Sequence, residues 1–109
     1  MKITITFKHL EHTPALDQRI HEKSEKLAKF FDGNFKVHWT CWCDEKGEHW
    51  AEVRILGQPQ ECFAKASSEN LYKAFDLVTD RIERQLERHK SKLRNRLHSA
   101  SGEKFRQAV

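Results

Sequence analysis

Residues 70–93, NLYKAFDLVTDRIERQLERHKSKL, sort their side chains by type around a single helix. At about 3.6 residues per turn, the apolar side chains fall on one stripe, the basic ones on a second and the acidic ones on a third. The pattern predicts a long amphipathic helix that begins at Ser68 or Asn70 and ends near His98. Its apolar stripe contains Leu71, Phe75, Val78, Ile82, Leu86, Leu93 and Leu97. Its basic stripe contains Arg81, Arg84, Arg88, Lys92 and Arg96, and its acidic stripe contains Asp76, Asp80, Glu83 and Glu87.

The basic stripe favours a polyanionic partner. Like charges four residues apart destabilise a helix by roughly 0.2–0.5 kcal/mol per pair, and a bound polyanion would remove that penalty. The guanidinium group also binds phosphate through two parallel hydrogen bonds. The alternative is a solvated helix face tied by ion pairs such as Asp80 with Arg84.

The segments before this helix alternate polar and apolar residues, as half-buried strands do. Residues 2–8 form the first, and three more follow over residues 35–43, from His49 to a break at residues 57–59, and over residues 61–66. Residues 44–47, DEKG, supply the turn between the second and third strands. In the second strand the inward side chains are predicted to be Phe35, Val37, Trp39, Cys41 and Cys43.

A shorter helix is predicted for residues 14–31, where Thr13 is the N-cap and Pro14 occupies the first helical position. The element order β-α-β-β-β-α then predicts an α+β fold like that of double-stranded-RNA-binding domains. The first crossover makes strands one and two parallel, the other strands form a meander, and both helices cover one face of the four-stranded sheet. Residues 1–98 are expected to be this single domain and residues 99–109 a short flexible tail.

The shorter helix carries a second, weaker set of basic residues, because Glu22 and Glu25 interrupt it. Two helices on one sheet face could set their basic edges beside a shared groove, although the sequence does not fix whether the edges face each other. This second set contains Arg19, Lys23, Lys26 and Lys29.

Composition sets wider limits. The chain has 109 residues, a net charge of +4 and a sequence pI of about 9.1, which suits a polyanionic partner without requiring one. No apolar run is long enough for a membrane span, and residues 1–10 lack the apolar region of a signal peptide, so a cytoplasmic location is expected. The three cysteines are interpreted as reduced thiols.

Catalytic and metal sites are not expected. Cys41 and Cys43 lie two apart on a strand, so both should point into the core, whereas zinc ligands usually sit on turns. The sequence has no glycine-rich phosphate loop and no activated nucleophile pattern, so neither an enzyme nor a cofactor is predicted. Trp42 and Trp50 fall on the outer sheet face. Mutual packing is favoured for them over a base-stacking platform, because no basic motif of the sheet-reader kind is interleaved.

Several segments together resemble the ribosome-hibernation promoting factor and ribosome-associated inhibitor family. They are Thr13-Pro14-Ala15-Leu16, LAKFFD at residues 27–32, AKA at residues 64–66, NLYKAFD at residues 70–76, DRIERQL at residues 80–86 and HKSKL at residues 89–93. The family usually has Asp where Asn70 stands, and Asn also caps helices. The tail resembles that of the short form, without a second dimerising domain or an extended acidic tail.

The resemblance implies binding of the small ribosomal subunit and its RNA, in the channel used by transfer and messenger RNA. Such a factor blocks translation and stabilises idle ribosomes by steric exclusion and phosphate neutralisation, with no chemistry. Whether it promotes ribosome dimers stays open. The alternatives are a stand-alone double-stranded RNA-binding module and a protein-interaction (transcription modulator) module. The family's RNA-binding positions fall on Lys23, Lys26, Lys29, Arg81, Arg84, Arg88 and Lys92.

Overall fold

A computed structural model describes residues 1–58 and 61–102, and their side chains except those of residues 32, 58 and 89–102. The predicted order of elements is confirmed. The strands and helices are β1 (Lys2–Lys8), α1 (Pro14–Ala28), β2 (Asp32–Cys43), β3 (His49–Gln58), β4 (Cys62–Ser68) and α2 (Leu71–Gly102). No helix among the described residues is both long and apolar enough to cross a membrane.

The four strands form one mixed sheet in the order β1-β2-β3-β4. β1 pairs with β2 in parallel, with Ile5 opposite Trp39, and β2, β3 and β4 form an antiparallel meander. Both predictions of strand direction are therefore confirmed. Helix α2 packs against β3 and β4, whereas α1 packs against β1 and against α2, so the two helices cover the same face.

The core lies between this face and the helices. Ile20 and Leu27 enter it from α1, and Phe75, Val78 and Ile82 enter from α2, all with no exposed surface. On the sheet side, small residues of β4 let α2 approach closely, while β2 supplies the larger side chains of the core. The buried sheet residues include Phe35, Val37, Trp39, Cys41, Ala51, Val53, Ile55, Cys62, Ala64 and Ala66.

The start of α2 agrees with the prediction, whereas the C-terminal ends of both helices differ from it. Helix α1 ends at Ala28, not at residue 31, and Lys29 is its C-cap. The chain turns there through a hydrogen bond from Phe31 N to the Ala28 carbonyl, which lets Phe31 enter the core and stack on Phe35 at 4.8 Å. Helix α2 begins after Asn70, whose side chain accepts a hydrogen bond from Lys73 N at 2.9 Å.

Helix α2 also continues to Gly102, beyond the expected end near His98. Residues 98–101 contain no helix breaker, so nothing local stops the helix before that glycine. The first residues of the predicted flexible tail are therefore helical, and residues 103–109 lie outside those described. The boundary of the domain at residue 98 stays a prediction.

Strand β3 runs through Gly57 instead of breaking there, and β4 is shifted to Cys62–Ser68. The reason lies in the irregular pairing of β2 with β3 between Asp32 and Lys36. At this irregularity Gly57 lies directly against Phe35. A Cβ atom on Gly57 would be 2.5 Å from the Phe35 Cβ and 3.3 Å from its Cα. Only glycine permits the two strands to approach this closely.

Replacing Gly57 with alanine is therefore expected to destabilise the fold by about 1–3 kcal/mol, the usual cost of forcing an extra carbon into a packed region. The midpoint of thermal unfolding, followed by far-UV circular dichroism, should fall by several degrees. An unchanged midpoint would show that the two strands separate at little cost.

Candidate nucleic-acid interface

The buried stripe of α2 determines which of its side chains face solvent. Leu71, Phe75, Val78, Ile82 and Leu86 are buried as predicted, which fixes the rotation of the helix about its axis. Arg84 and Arg88 then face solvent, and the Arg84 side chain is 71% exposed. Helical spacing therefore predicted the outward position of these two arginines, and their role in binding stays a prediction. Lys92, also on α2, has a side chain outside those that the structure describes.

Among the side chains that the structure describes, Arg84 pairs with Asp80, at 3.0 Å. This is the ion pair expected from the sequence, and it links neighbouring turns of the helix. Pairs this exposed contribute about 0–1 kcal/mol, because water screens them and two long side chains must be held still. A phosphate group can therefore compete for Arg84 at small cost.

Arg81 lies at the side of α2 nearest the edge strand β4. Its guanidinium donates a hydrogen bond to the Lys65 carbonyl, and one turn later Gln85 Nε2 donates to the Phe63 carbonyl at 2.8 Å. Both carbonyls belong to a strand with no neighbouring strand on that side, so the two side chains occupy groups that another strand could otherwise pair with. The Arg81 side chain therefore helps to hold α2 against β4. Its remaining N–H groups stay available, since guanidinium has five.

The basic residues of α1 meet the acidic stripe of α2. Lys23 Nζ lies 2.6 Å from Asp76 Oδ1, and Lys26 Nζ lies 3.8 Å from Glu83 Oε1. The sequence left open whether the basic edges of the two helices face each other, and these two lysines instead face acidic residues of α2. The sequence could not show this, since it does not specify which sides of the two helices touch.

Lys29 and Arg19 are the other two basic residues of α1, at its C-cap and in its second turn. Lys29 is exposed at the C-terminal cap, with its Nζ 5.3 Å from the centre of the Phe30 ring. Arg19 lies over the Tyr72 ring at 5.1 Å and 3.4 Å from Glu22. Lys29 is thus the α1 lysine of the predicted set that has no acidic partner among the described ion pairs.

Sequence reasoning missed a second basic surface, on the sheet face that the helices leave open. Trp42 and Trp50 do stack across β2 and β3, at 5.8 Å and 3°, as predicted. However, Lys65 lies over the Trp50 ring at 5.5 Å and Arg54 lies over the Phe63 ring at 5.2 Å. Cations are therefore interleaved with the aromatic rings. The cations and rings alternate because of the register of β3 with β4, and this register cannot be read from neighbouring residues in the sequence.

The cysteine environment argues against a reactive thiol. Cys41 has no exposed surface, and burial raises the pKa of its thiol to about 12. The prediction that Cys43 points into the core is wrong. Its side chain is only half-buried, with Sγ 3.7 Å from the Asp44 carbonyl oxygen. Within the part of the chain that the structure describes, no three histidine, cysteine, aspartate or glutamate side chains converge as metal ligands would.

Replacing Cys41 with serine is expected to lower stability by about 1–3 kcal/mol, because a hydroxyl would be buried without a partner. Binding of RNA or ribosomes by the folded variant should be unchanged, since Cys41 is remote from the exposed arginines. Urea unfolding and a binding assay below the transition together check this. Weaker binding at full stability, or loss of a bound metal, would contradict the interpretation of Cys41 as a buried apolar side chain.

The family model described as "Sigma 54 modulation protein / S30EA ribosomal protein" matches residues 3–94. A relative named "Ribosome hibernation promoting factor", from Escherichia coli K12, is 32% identical over 94 residues, which cover 86% of this chain and 98% of that protein. A "Ribosome hibernation promotion factor" from Bacillus subtilis is 28% identical over 109 residues, which cover 96% of this chain. The present chain spans only 57% of the Bacillus protein's length.

Solved structures confirm the fold. The N-terminal domain of Thermus thermophilus Protein Y superimposes with a TM-score of 0.74 at 24% identity, over 82% of this chain and 99% of that one. A ribosomal subunit interface protein from Coxiella burnetii superimposes with a TM-score of 0.71 at 21% identity, over 84% of this chain. At these identities the likeness establishes the architecture alone.

Proposed function

The chain belongs to the sigma 54 modulation protein / S30EA ribosomal protein family, and from this premise we propose that it acts as a ribosome hibernation factor. It binds the small ribosomal subunit in the decoding channel, blocks translation and stabilises inactive ribosomes. Its partners are the ribosomal RNA of that subunit and the whole ribosome, which places its work in the cytoplasm. The proposal involves no small-molecule substrate, no membrane and no chemical step.

The observation that supports this most strongly is the exposed basic stripe of α2. Arg84 and Arg88 project from a helix whose rotation is fixed by its buried side, and they are not enclosed by the rest of the fold. Exposed arginine side chains bind phosphate groups through two parallel hydrogen bonds and supply the backbone contacts of many nucleic-acid-binding proteins. We therefore assign them the main share of the binding free energy.

The other basic positions contribute in ways that their surroundings determine. Lys29 and Arg81 add phosphate contacts, and Lys92 extends the α2 stripe along the sequence. Lys23 and Lys26 must share their charge with Asp76 and Glu83. We expect these two lysines to hold α1 against α2 and to contribute less to RNA binding than the arginines do.

The mechanism is occupation without catalysis. A folded domain held in the channel by phosphate contacts excludes transfer and messenger RNA by volume. Each neutralised phosphate releases bound counterions, so the affinity should fall steeply as salt rises. The protein can leave an idle ribosome by competition, because no covalent bond is formed.

Sedimentation of the purified protein with separated subunits, at about 50 mM and 200 mM salt, tests the proposal. Co-sedimentation with the small subunit at the lower salt, and its loss at the higher, is expected for binding through several phosphates. A short RNA duplex provides the comparison. Equal affinity for the duplex and for the small subunit would indicate a general double-stranded RNA-binding module instead. An affinity that does not change with salt concentration would indicate a protein-protein contact.

A further inference from the structure

The sheet face opposite the helices is open to solvent and carries its own ordered side chains. Paired residues on neighbouring strands form four rows that cross the sheet. One row contains Thr4, His38, Arg54 and Phe63, and another contains Lys8, Trp42, Trp50 and Ser67. Because alternate residues along a strand are about 6.6–6.8 Å apart, the four rows span roughly 20 Å. This surface, called here the open sheet face, is long enough for a few nucleotides.

Basic side chains outnumber acidic ones within its four rows. Five exposed cations lie there against one carboxylate, that of Glu52, while Asp44 and Glu48 at the hairpin end and Glu61 just before β4 carry negative charge at the margins. Asp44 is occupied, because its carboxylate accepts hydrogen bonds from the Trp50 indole at 2.9 Å and from two backbone N–H groups. The rows themselves therefore carry a net positive charge, as a polyanion requires. The cations are Lys2, Lys8, Lys36, Arg54 and Lys65.

The aromatic rings on the face are held in place before any ligand arrives. Trp50 is fixed by Asp44 and by its parallel stack with Trp42. Phe63 is 44% exposed, which is unusual for a large apolar side chain in a strand, and Arg54 lies over its ring. Rings that are already ordered lose little conformational entropy when a base stacks on them.

A concavity of about 360 Å³ continues the face at its other end. It is lined by Met1, Lys2, Asn34, Phe35, Lys36 and Leu56, so two lysines stand at its edge. Arg81 of α2 meets the Lys65 backbone at the β4 edge of the sheet. Positive charge therefore lies at one end of the rows and at this edge.

We propose that the open sheet face binds single-stranded RNA, with unpaired bases on Trp42, Trp50 and Phe63 and phosphates on the surrounding lysines and Arg54. Flat exposed rings accept splayed bases, which a duplex keeps inside its own stack. Lys65 and Arg54, which lie over the Trp50 and Phe63 rings, move aside for the bases and bind phosphate at the same time. The inference does not depend on how the helices bind the ribosome, since it concerns the opposite face of the domain.

Titration with a ten-nucleotide oligouridine at about 50 mM salt tests this. Tryptophan fluorescence should be quenched, because Trp42 and Trp50 are accessible while Trp39 is 1% exposed and cannot be reached. Phe63→Leu should weaken binding about 5-fold or more, as expected for the loss of one stacked base. Lys65→Gln should lower the slope of log affinity against log salt by about 0.7. The matched control is Leu77→Ala, equally exposed at 44% but on α2, which should bind oligouridine as wild type does.

Three results would overturn the inference: no quenching, equal affinity in Phe63→Leu, or equal quenching by an RNA duplex. Sedimentation with ribosomes in the same preparation keeps the two proposals separate. A protein that sediments with small subunits but ignores oligouridine contradicts the sheet inference alone. A protein that is quenched by oligouridine but does not sediment contradicts the hibernation proposal alone.

Discussion

Replacing Arg84 and Arg88 together with glutamate is expected to weaken binding to the small ribosomal subunit on the order of 100-fold or more. Each charge-assisted hydrogen bond contributes about 1.5–3 kcal/mol, and every 1.4 kcal/mol is about tenfold in affinity. The replacements also add repulsion between carboxylate and phosphate. Sedimentation or a fluorescence binding assay at about 50 mM salt measures the loss.

The fold should survive this change, because both side chains lie in solvent. The new like-charge pairs on α2 cost about 0.2–0.5 kcal/mol each. The far-UV circular dichroism spectrum should therefore stay near that of the wild type. The control is Lys46→Glu with Lys73→Glu, which changes the net charge by the same amount at two exposed positions outside the proposed interface. If this control lost as much affinity, net charge and not the α2 stripe would be responsible.

Replacing Trp39 with alanine is expected to have the largest effect on stability. The side chain is 1% exposed, its ring meets Phe75 edge-on at 5.4 Å, and its Nε1 donates to Ser24 Oγ at 2.9 Å. It therefore joins β2 to both helices. Removing a buried tryptophan costs about 3–5 kcal/mol, a large part of the roughly 5–15 kcal/mol that stabilises a typical domain.

Urea unfolding, followed by circular dichroism, measures this loss as a shift of the midpoint. Trp42→Ala is the matched comparison, because the same atoms are removed from a half-buried position on the open sheet face. Its midpoint should fall much less than that of Trp39→Ala. Equal shifts would mean that the Trp39 environment is not the centre of the core.

The fold could be predicted from the sequence because its signals are local. Alternation in β1 to β4 and the apolar stripe of α2 each depend on residues only a few positions apart. The misplaced boundaries have tertiary causes. Phe31 leaves α1 to stack on Phe35, and Gly57 stays in β3 because the neighbouring strand leaves no room for a side chain. Phe35 is four residues from Phe31 but belongs to β2, and it is 22 residues from Gly57, so helical or strand periodicity predicts neither contact.

The candidate sites were only partly predictable, for the same reason. The outward position of Arg84 and Arg88 follows from helical spacing and the buried stripe alone. The pairing of Lys23 with Asp76 depends on how α1 packs on α2, and the placement of Lys65 over Trp50 depends on the register of β3 with β4. Periodicity carries no information about either, so these contacts required the three-dimensional structure.

The central claim is that the domain occupies the decoding channel, and competition with transfer RNA tests it most directly. Small subunits carrying messenger RNA and labelled transfer RNA would be titrated with the protein, and retained label measured by filter binding. We expect the label to be lost as the protein binds, and to be retained with the Arg84→Glu, Arg88→Glu variant. Saturating binding of the wild-type protein to small subunits that keep all their transfer RNA would contradict the claim.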